Sequence, residues 1–387
     1  MTLFVQHGYG KSDKLEQLAR HMAVDGVVLS PKDESPQTLR QTAKDALTDS
    51  LTLLVDPQTY MYSTEPQGSG RCHADNGLPT SRVSWAQDAG AVSRLVDAVG
   101  QLNADLGATR WVAPAPLQNL FVDEMTPLAL QYARTASGAW PEGSVYASLV
   151  IDQHAFADWS AIERWLTEAT TLEVSGFYLI VTKSSSAYPP AAWEPVHLAN
   201  YLRLIYVLAE VADFDVVLGY ADYEGVLGLA CGASAMASGW SYSLRQLCPE
   251  RWKVIQDGGA PPVSRVNMER LWSPVRAQAD AEPVFESDLA DMAFSERELA
   301  AFAESGFELD RPTAQLAHLR VLADRVAIVD GADGVDEKLL VVETSLDAAS
   351  ASIGALNAEG YFTGEPYLGR VDALRSALSS FRSAEGV

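Results

Sequence analysis

Eight short apolar runs, at residues 3–6, 26–30, 51–56, 110–113, 145–152, 176–183, 214–219 and 235–239, nearly all stop at a polar, Pro or Gly cluster. Stretches with helical periodicity lie between most of them. Strand and helix therefore alternate eight times, the count that a (β/α)8 TIM-type barrel needs. Such barrels keep their chemistry at the C-terminal ends of their strands, so the polar residues that close each run are the candidate functional residues.

The punctuation between the runs supports the same reading. Ser12 is a candidate cap for a first helix that ends near Met22, with Leu15, Leu18, Ala19 and Met22 on one face. Ser35-Pro36 opens a second, since Pro suits the first helical position after a Ser cap. Further helices are predicted near 87–107, 123–137, 158–173 and 191–212. A segment rich in Gly, Pro, Ser and aromatics at 59–84 follows the third run and is placed to form a lid over the mouth.

Composition changes after Trp272. Residues 273–387 carry 21 acids and 9 bases, a net of −12 within the chain's −23. Leu316, Leu319, Leu322, Ala323 and Val326 are spaced as on a helix, and Gly306, Gly331 and Gly360 read as helix stops. The predicted organisation is a barrel over 1–250, a connector over 251–272 and an acidic helical C-terminal region over 273–387, three or four helices packed on the barrel or on another chain.

The charge balance also bounds the partners. Duplex-binding surfaces neutralise phosphates with Lys and Arg, so 28 basic against 51 acidic residues argue against nonspecific nucleic-acid binding. Cys72, Cys231 and Cys248 form no Cys-x-x-Cys pair, which fits a reducing compartment. No apolar run reaches the ~20 residues that span a bilayer, and the N-terminus has no signal-peptide pattern. The expectation is a cytoplasmic protein with no membrane partner, no cofactor and no metal. Its partners are a small-molecule substrate and a protein bound through the acidic C-terminal region.

At the strand ends, Asp56, Asp152 and Asp222 converge on one mouth if the barrel forms. Carboxylates in a partly desolvated pocket can split their pKa values into an acid and a base or nucleophile, the equipment of glycosyl transfer and hydrolysis. Gln58, Tyr60, Tyr220 and Trp240 offer polar and flat surfaces for a sugar or base, with His154 and Glu224 beside them. His7 is a candidate acid/base. Lys183 closes the sixth run, where class I aldolases, which that segment resembles in this feature, form a Schiff base. Gly219 and Gly239 end the last two runs, where barrels often bind phosphate, but Asp222 and Glu224 cap the following helix and disfavour an anion.

Asp56-Pro57-Gln58-Thr59-Tyr60-Met61-Tyr62-Ser63 resembles the Asp-Ser-Gly-Gly-Phe-Gln segment that tRNA-guanine transglycosylases carry after a barrel strand. Residues 232–245 are similar to their glycine-to-arginine stretch around the eighth strand. The resemblance covers two segments of about ten residues. It implies a barrel fold and a base-contacting carboxylate at Asp56. This chain departs from the family where the nucleophilic Asp belongs, which falls at Ala237 and Ser238, and it lacks the zinc-binding Cys/His cluster. Three functions stay open: a glycosyl-type enzyme using Asp56 with Asp152 or Asp222, a Schiff-base lyase at Lys183, and a non-catalytic interaction subunit.

Overall fold

The computed structural model describes residues 1–9, 15–18, 24–64, 70–80, 88–252, 263–307 and 311–387, with 311 and 312 by backbone alone. The expected Ser12 cap, Ala19 and Met22 lie outside the described residues, as do 65–69 and 81–84 of the 59–84 segment; Leu15 and Leu18 are helical and buried.

All eight predicted runs are strands. They are β1 (Thr2–Gln6), β2 (Gly26–Leu29), β3 (Thr52–Val55), β4 (Trp111–Val112), β6 (Val145–Asp152), β7 (Gly176–Thr182), β8 (Asp215–Gly219) and β9 (Ala235–Ser238). Each lies parallel to its neighbours in the order β3-β2-β1-β9-β8-β7-β6-β4. The two ends of that path meet: a parallel bridge joins Leu54 to Arg110, and the Thr109 amide donates to the Leu53 carbonyl at 2.9 Å. The chain is a (β/α)8 barrel. The fourth position is split, because β5 (Leu117–Gln118) pairs with the far half of β6 while β4 pairs with its start. Pro114 and Pro116 lie between the two pieces and have no N–H for a ladder.

A parallel strand in a barrel is buried on both faces, which explains why the runs are continuously apolar rather than alternating. Outward residues such as Leu3, Val5, Val27 and Leu53 join the core beneath the helices. Inward residues, among them Phe4, Val28, Leu54, Val112, Tyr146, Tyr178 and Val217, fill the lumen. Arg110 and Asp215 meet there at 3.1 Å at the N-terminal end, with Tyr146 and Ser234 donating to the Asp215 carboxylate and the guanidinium lying over the Phe4 and Tyr146 rings.

The helices follow their local signals. Ser35 caps Pro36–Thr48 by accepting from the Thr38 amide at 3.3 Å, and Asp88 caps Ala89–Leu106, which ends at Gly107 in a left-handed turn. Thr126–Ala139, Trp159–Ala169 and Pro195–Tyr206 follow, the last continuing as a π turn over Val207–Val211. Asp222 sits at the cap position of Tyr223–Ala230, yet its side chain makes no capping bond. The expected cap is corrected: the backbone there (φ −120°, ψ −134°) is not extended, and the carboxylate turns inward to Tyr188.

The antiparallel pair β10 (Arg265–Asn267) and β11 (Pro274–Arg276) joins the predicted connector to the start of the C-terminal region, which continues as helices. The three long ones are Arg311–Asp330, Gly334–Ala358 and Tyr367–Glu385. The first two pack on Tyr223–Ala230 and the third on Pro195–Tyr206, so one apolar core runs from Leu3 to Phe381. By length and composition Gly334–Ala358 is apolar enough to cross a bilayer. Its buried Leu339, Val342, Leu346, Ala349, Ile353 and Leu356 form a single inward stripe, the pattern of a helix packed on protein.

Removing one partner of the Arg110–Asp215 pair strands the other inside the barrel's lower end. Arg110→Met is expected to lower the unfolding free energy by about 2 kcal/mol, less than for a fully buried pair because both side chains keep some exposure. A urea melt with an unchanged midpoint would argue that the pair seals nothing.

Candidate active site at the barrel mouth

Asp56 follows β3 and, two residues beyond Leu54, points into the lumen. Its carboxylate accepts from the Gln58 amide at 3.0 Å and from the Tyr60 hydroxyl at 3.0 Å. The first bond is an Asx turn, and it sets Gln58 in a left-handed backbone (φ 50°) ahead of the 3₁₀ turn Thr59–Ser63. The side-chain amide of Gln58 then donates to the hydroxyl of Tyr220, itself left-handed (φ 52°) at the end of β8. Tyr60 also adjoins Tyr220, and Tyr178 donates to Gln6 at 3.3 Å. Gly219 is required here, since a Cβ would stand 2.4 Å from the Tyr178 hydroxyl. A Cβ at Gly239 would stand 2.2 Å from Leu244 Cβ, so both glycines answer to packing.

Burial dominates the electrostatics of this group. Asp56 is 1 % exposed, and desolvation pushes its pKa up to about 7 although both hydrogen bonds pull the other way. Tyr60, Tyr178 and Tyr220 are pushed well above the ordinary phenol range, first by burial and then by the Asp56 charge, so all three stay neutral.

Above this layer opens a cavity of about 460 Å³ with Gln58 and Tyr220 in its floor. His7, Trp240 and Trp252 form walls; the His7 ring meets Trp240 edge-on at 5.0 Å, and Trp252 leans on Tyr60 at 5.7 Å. Lys32, Asp33, Glu34 and Arg251 supply charge at the rim, where Asp33 is paired with Lys32 and, at 3.3 Å, with Arg71.

Asp222 belongs to a second network. Tyr188 donates to it at 2.7 Å, and Arg245 donates to Tyr188 at 3.2 Å and to the carbonyls of Gly239 and Trp240 at 3.0 and 3.1 Å. Burial lifts the Asp222 pKa to about 7, with Arg245 opposing and Glu224 adding to the rise. His318 Nε2 lies 3.6 Å from Asp222 Oδ1, but burial and then Arg245 hold that histidine well below its usual pKa. The histidine is neutral, so the contact is not an ion pair.

The structure thus gathers Asp56, Gln58, Tyr60 and Tyr220 in one network, and His7 and Trp240 on the cavity above it. Asp222 lies behind Trp240 through Arg245. Lys183 is elsewhere, buried against the Trp193 ring (3.6 Å to its centre) with Glu224 at 3.5 Å, and burial lowers its pKa to about 8 despite that carboxylate. Asp152 accepts from the His154 amide at 2.8 Å and caps the turn Gln153–Ala157, while His154 is exposed beside His197. Among the described residues no cluster of three or more His, Cys, Asp or Glu is arranged to hold a metal ion. Tyr178, Tyr188, Arg245, Trp252 and Gln315 were not singled out from the sequence; for Tyr178 the signal was its inward parity with Ile180 and Thr182.

No family model matches the chain, and no curated protein matches it. Among solved structures it is similar to a modular endo-β-1,4-mannanase of glycoside hydrolase family 26 from Cellulomonas fimi. The two are 11 % identical with a TM-score of 0.38, over 67 % of this chain and 68 % of that one.

Both raised carboxyls have a signed consequence for stability. The folded state holds their protons more tightly than the unfolded chain, so this contribution is complete below pH about 4 and is lost as pH rises through about 7. Between pH 5.5 and 8 the unfolding free energy is expected to fall by about 2 kcal/mol per group. In urea melts at the two pH values, Asp56→Asn and Asp222→Asn should each remove their share. A pH dependence identical to wild type in both variants would refute the assignment.

Proposed function

We propose that the chain is an enzyme that transfers or hydrolyses the glycosyl bond of a sugar- or nucleoside-like small molecule bound in the mouth cavity. The observation that carries this reading is the Gln58–Tyr220 floor: two non-glycine residues in left-handed backbone, hydrogen-bonded to each other directly above a buried carboxyl. Strained positions of this kind cost about 1–3 kcal/mol each and concentrate at functional sites.

Asp56 does not line the cavity; it acts through the tyrosines. The ionised carboxylate accepts from Tyr60, Tyr60 adjoins Tyr220, and Tyr220 faces the ligand. A proton taken from a bound hydroxyl or water moves along this chain as each tyrosine gives one proton and receives another, which leaves both phenols neutral. A pKa of about 7 lets Asp56 take and return that proton near neutral pH. Asp33, at the rim, is the second carboxylate that glycosyl chemistry calls for. Trp240, Trp252 and Tyr220 supply faces for a ring, and about 460 Å³ is ligand-sized.

A second reading places imine chemistry at Lys183, because its ammonium is buried with a pKa of about 8. That lysine does not line the mouth cavity. Borohydride trapping with a carbonyl substrate, abolished in Lys183→Ala, would favour it.

The primary test is a thermal-shift screen of sugars, nucleosides and aryl glycosides, followed by turnover of any hit. Tyr220→Phe and Asp56→Asn are each expected to lower kcat by about 10²–10⁴ with a small change in melting temperature. Wild-type turnover in both variants would refute the relay, and silence across the screen would refute the ligand class.

A further inference from the structure

A second cavity, of about 360 Å³, adjoins the mouth, and Trp240, Ser241 and Gln315 line both. Two of these come from the loop after β9, while Gln315 arrives from Arg311–Asp330 in the C-terminal region. That helix is held firmly, since His318, Leu319 and Leu322 on it are fully buried. Gln315 is only 8 % exposed and lines both cavities, and its side-chain oxygen has no hydrogen-bond partner in the protein. Gln315 therefore stands between the two cavities with its side-chain oxygen uncommitted to the protein.

The chemistry of the second cavity narrows the ligand. Its two guanidinium groups are already committed: Arg265 forms a fork with Glu365 at 3.0 and 2.6 Å, and Arg245 is spent on Gly239, Trp240 and Tyr188. Neither is free for an anion. What remains is the flat face of Trp240, the face of Tyr242 that is not stacked on Tyr188, the Ser264 hydroxyl and the side-chain NH2 of Asn267, whose oxygen already accepts from Tyr223. Aromatic faces edged with hydroxyls and amides suit a neutral polyhydroxylated ring.

We propose that the two cavities are adjacent subsites for a neutral glycoside of at least two rings, with Gln315 as the specificity-determining contact between them. The inference rests on the glycosyl reading of the mouth and deepens it, making the C-terminal region part of the binding cleft.

The test is calorimetric titration of the full chain with gluco-, manno- and xylo-oligosaccharides of one to four units. Wild type is expected to bind two units of the preferred series about tenfold or more tightly than one. Gln315→Leu should reduce that gain to less than about threefold, and Gln315→Glu, which keeps a polar head of the same size, should retain it. Ala314→Trp, which fills the second cavity from the same helix, should abolish the gain and carries the test if the leucine variant does not fold. One-unit binding with no gain from a second unit, or a gain untouched by Gln315→Leu and Ala314→Trp, would overturn the two-subsite proposal and leave the mouth reading intact. No binding by any saccharide would overturn the two-subsite proposal and restrict the mouth reading to nucleoside-like ligands.

Discussion

Closure of the parallel sheet is the constraint from which the rest of this structure follows. When β9 pairs with β1 and Leu54 meets Arg110, every strand loses the freedom to slip, because a one-residue shift would turn its inward side chains outward. Lumen and shell are thereby assigned residue by residue. Phe4, Val28, Leu54, Tyr146 and Tyr178 fill the interior, and the Arg110–Asp215 pair occupies its lower end. Asp56 inherits the inward direction of Leu54, and in a lumen otherwise packed with apolar side chains its carboxyl has to find donors within the protein. Gln58 and Tyr60 are those donors.

The unusual backbone at the mouth follows from the same requirement. Gln58 takes a left-handed conformation because its amide turns back to Asp56 Oδ1, and Tyr220 takes one after Gly219, whose bare α-carbon leaves space for the Tyr178 hydroxyl. Each strained residue then holds the other through the Gln58–Tyr220 bond. Sites built this way on rigid strand ends hold their groups in place before a ligand arrives, which is what electrostatic preorganisation requires.

Much of the fold was legible because a strand buried on two faces leaves an apolar run, and each run here ends in turn chemistry. Ser35-Pro36 and Gly107 mark helix ends for local reasons that a sequence carries openly. The site was legible only where it is local: Asp56, Gln58 and Tyr60 lie within five residues, and Tyr220 lies beside a glycine at a strand end. Its remaining parts depend on tertiary docking. Tyr178 is hidden inside an apolar run, and Arg245 is recognisable only once its hydrogen bonds to the strand-end carbonyls are known. Gln315 reaches the cleft because a helix about 75 residues further along the chain lies over Trp240. Asp222 and Asp152 look alike in the sequence, a carboxylate before a helical turn, yet Asp152 caps its turn and Asp222 faces inward to Tyr188. Local pattern cannot separate those outcomes, because burial by the C-terminal helices decides the second.

That docking also gives the acidic C-terminal region a physical part in the site. Asp222 contacts Tyr188 on one side and His318 of the Arg311–Asp330 helix on the other, and Tyr188 is held by the same Arg245 that grips the Trp240 carbonyl. Whether Asp222 carries its proton therefore alters how strongly Arg245 is drawn toward Tyr188 rather than toward the strand-end carbonyls. Trp240 is a wall of both cavities, so the hydrogen-bonded chain from Asp222 through Tyr188 and Arg245 ends at the cleft, and the C-terminal helix packs against its other end at His318. Linkage is reciprocal: a ligand that binds one arrangement of Trp240 more tightly must shift the proton affinity of Asp222 by the same free energy. A carboxyl with a pKa of about 7 is placed to make that coupling felt near neutral pH.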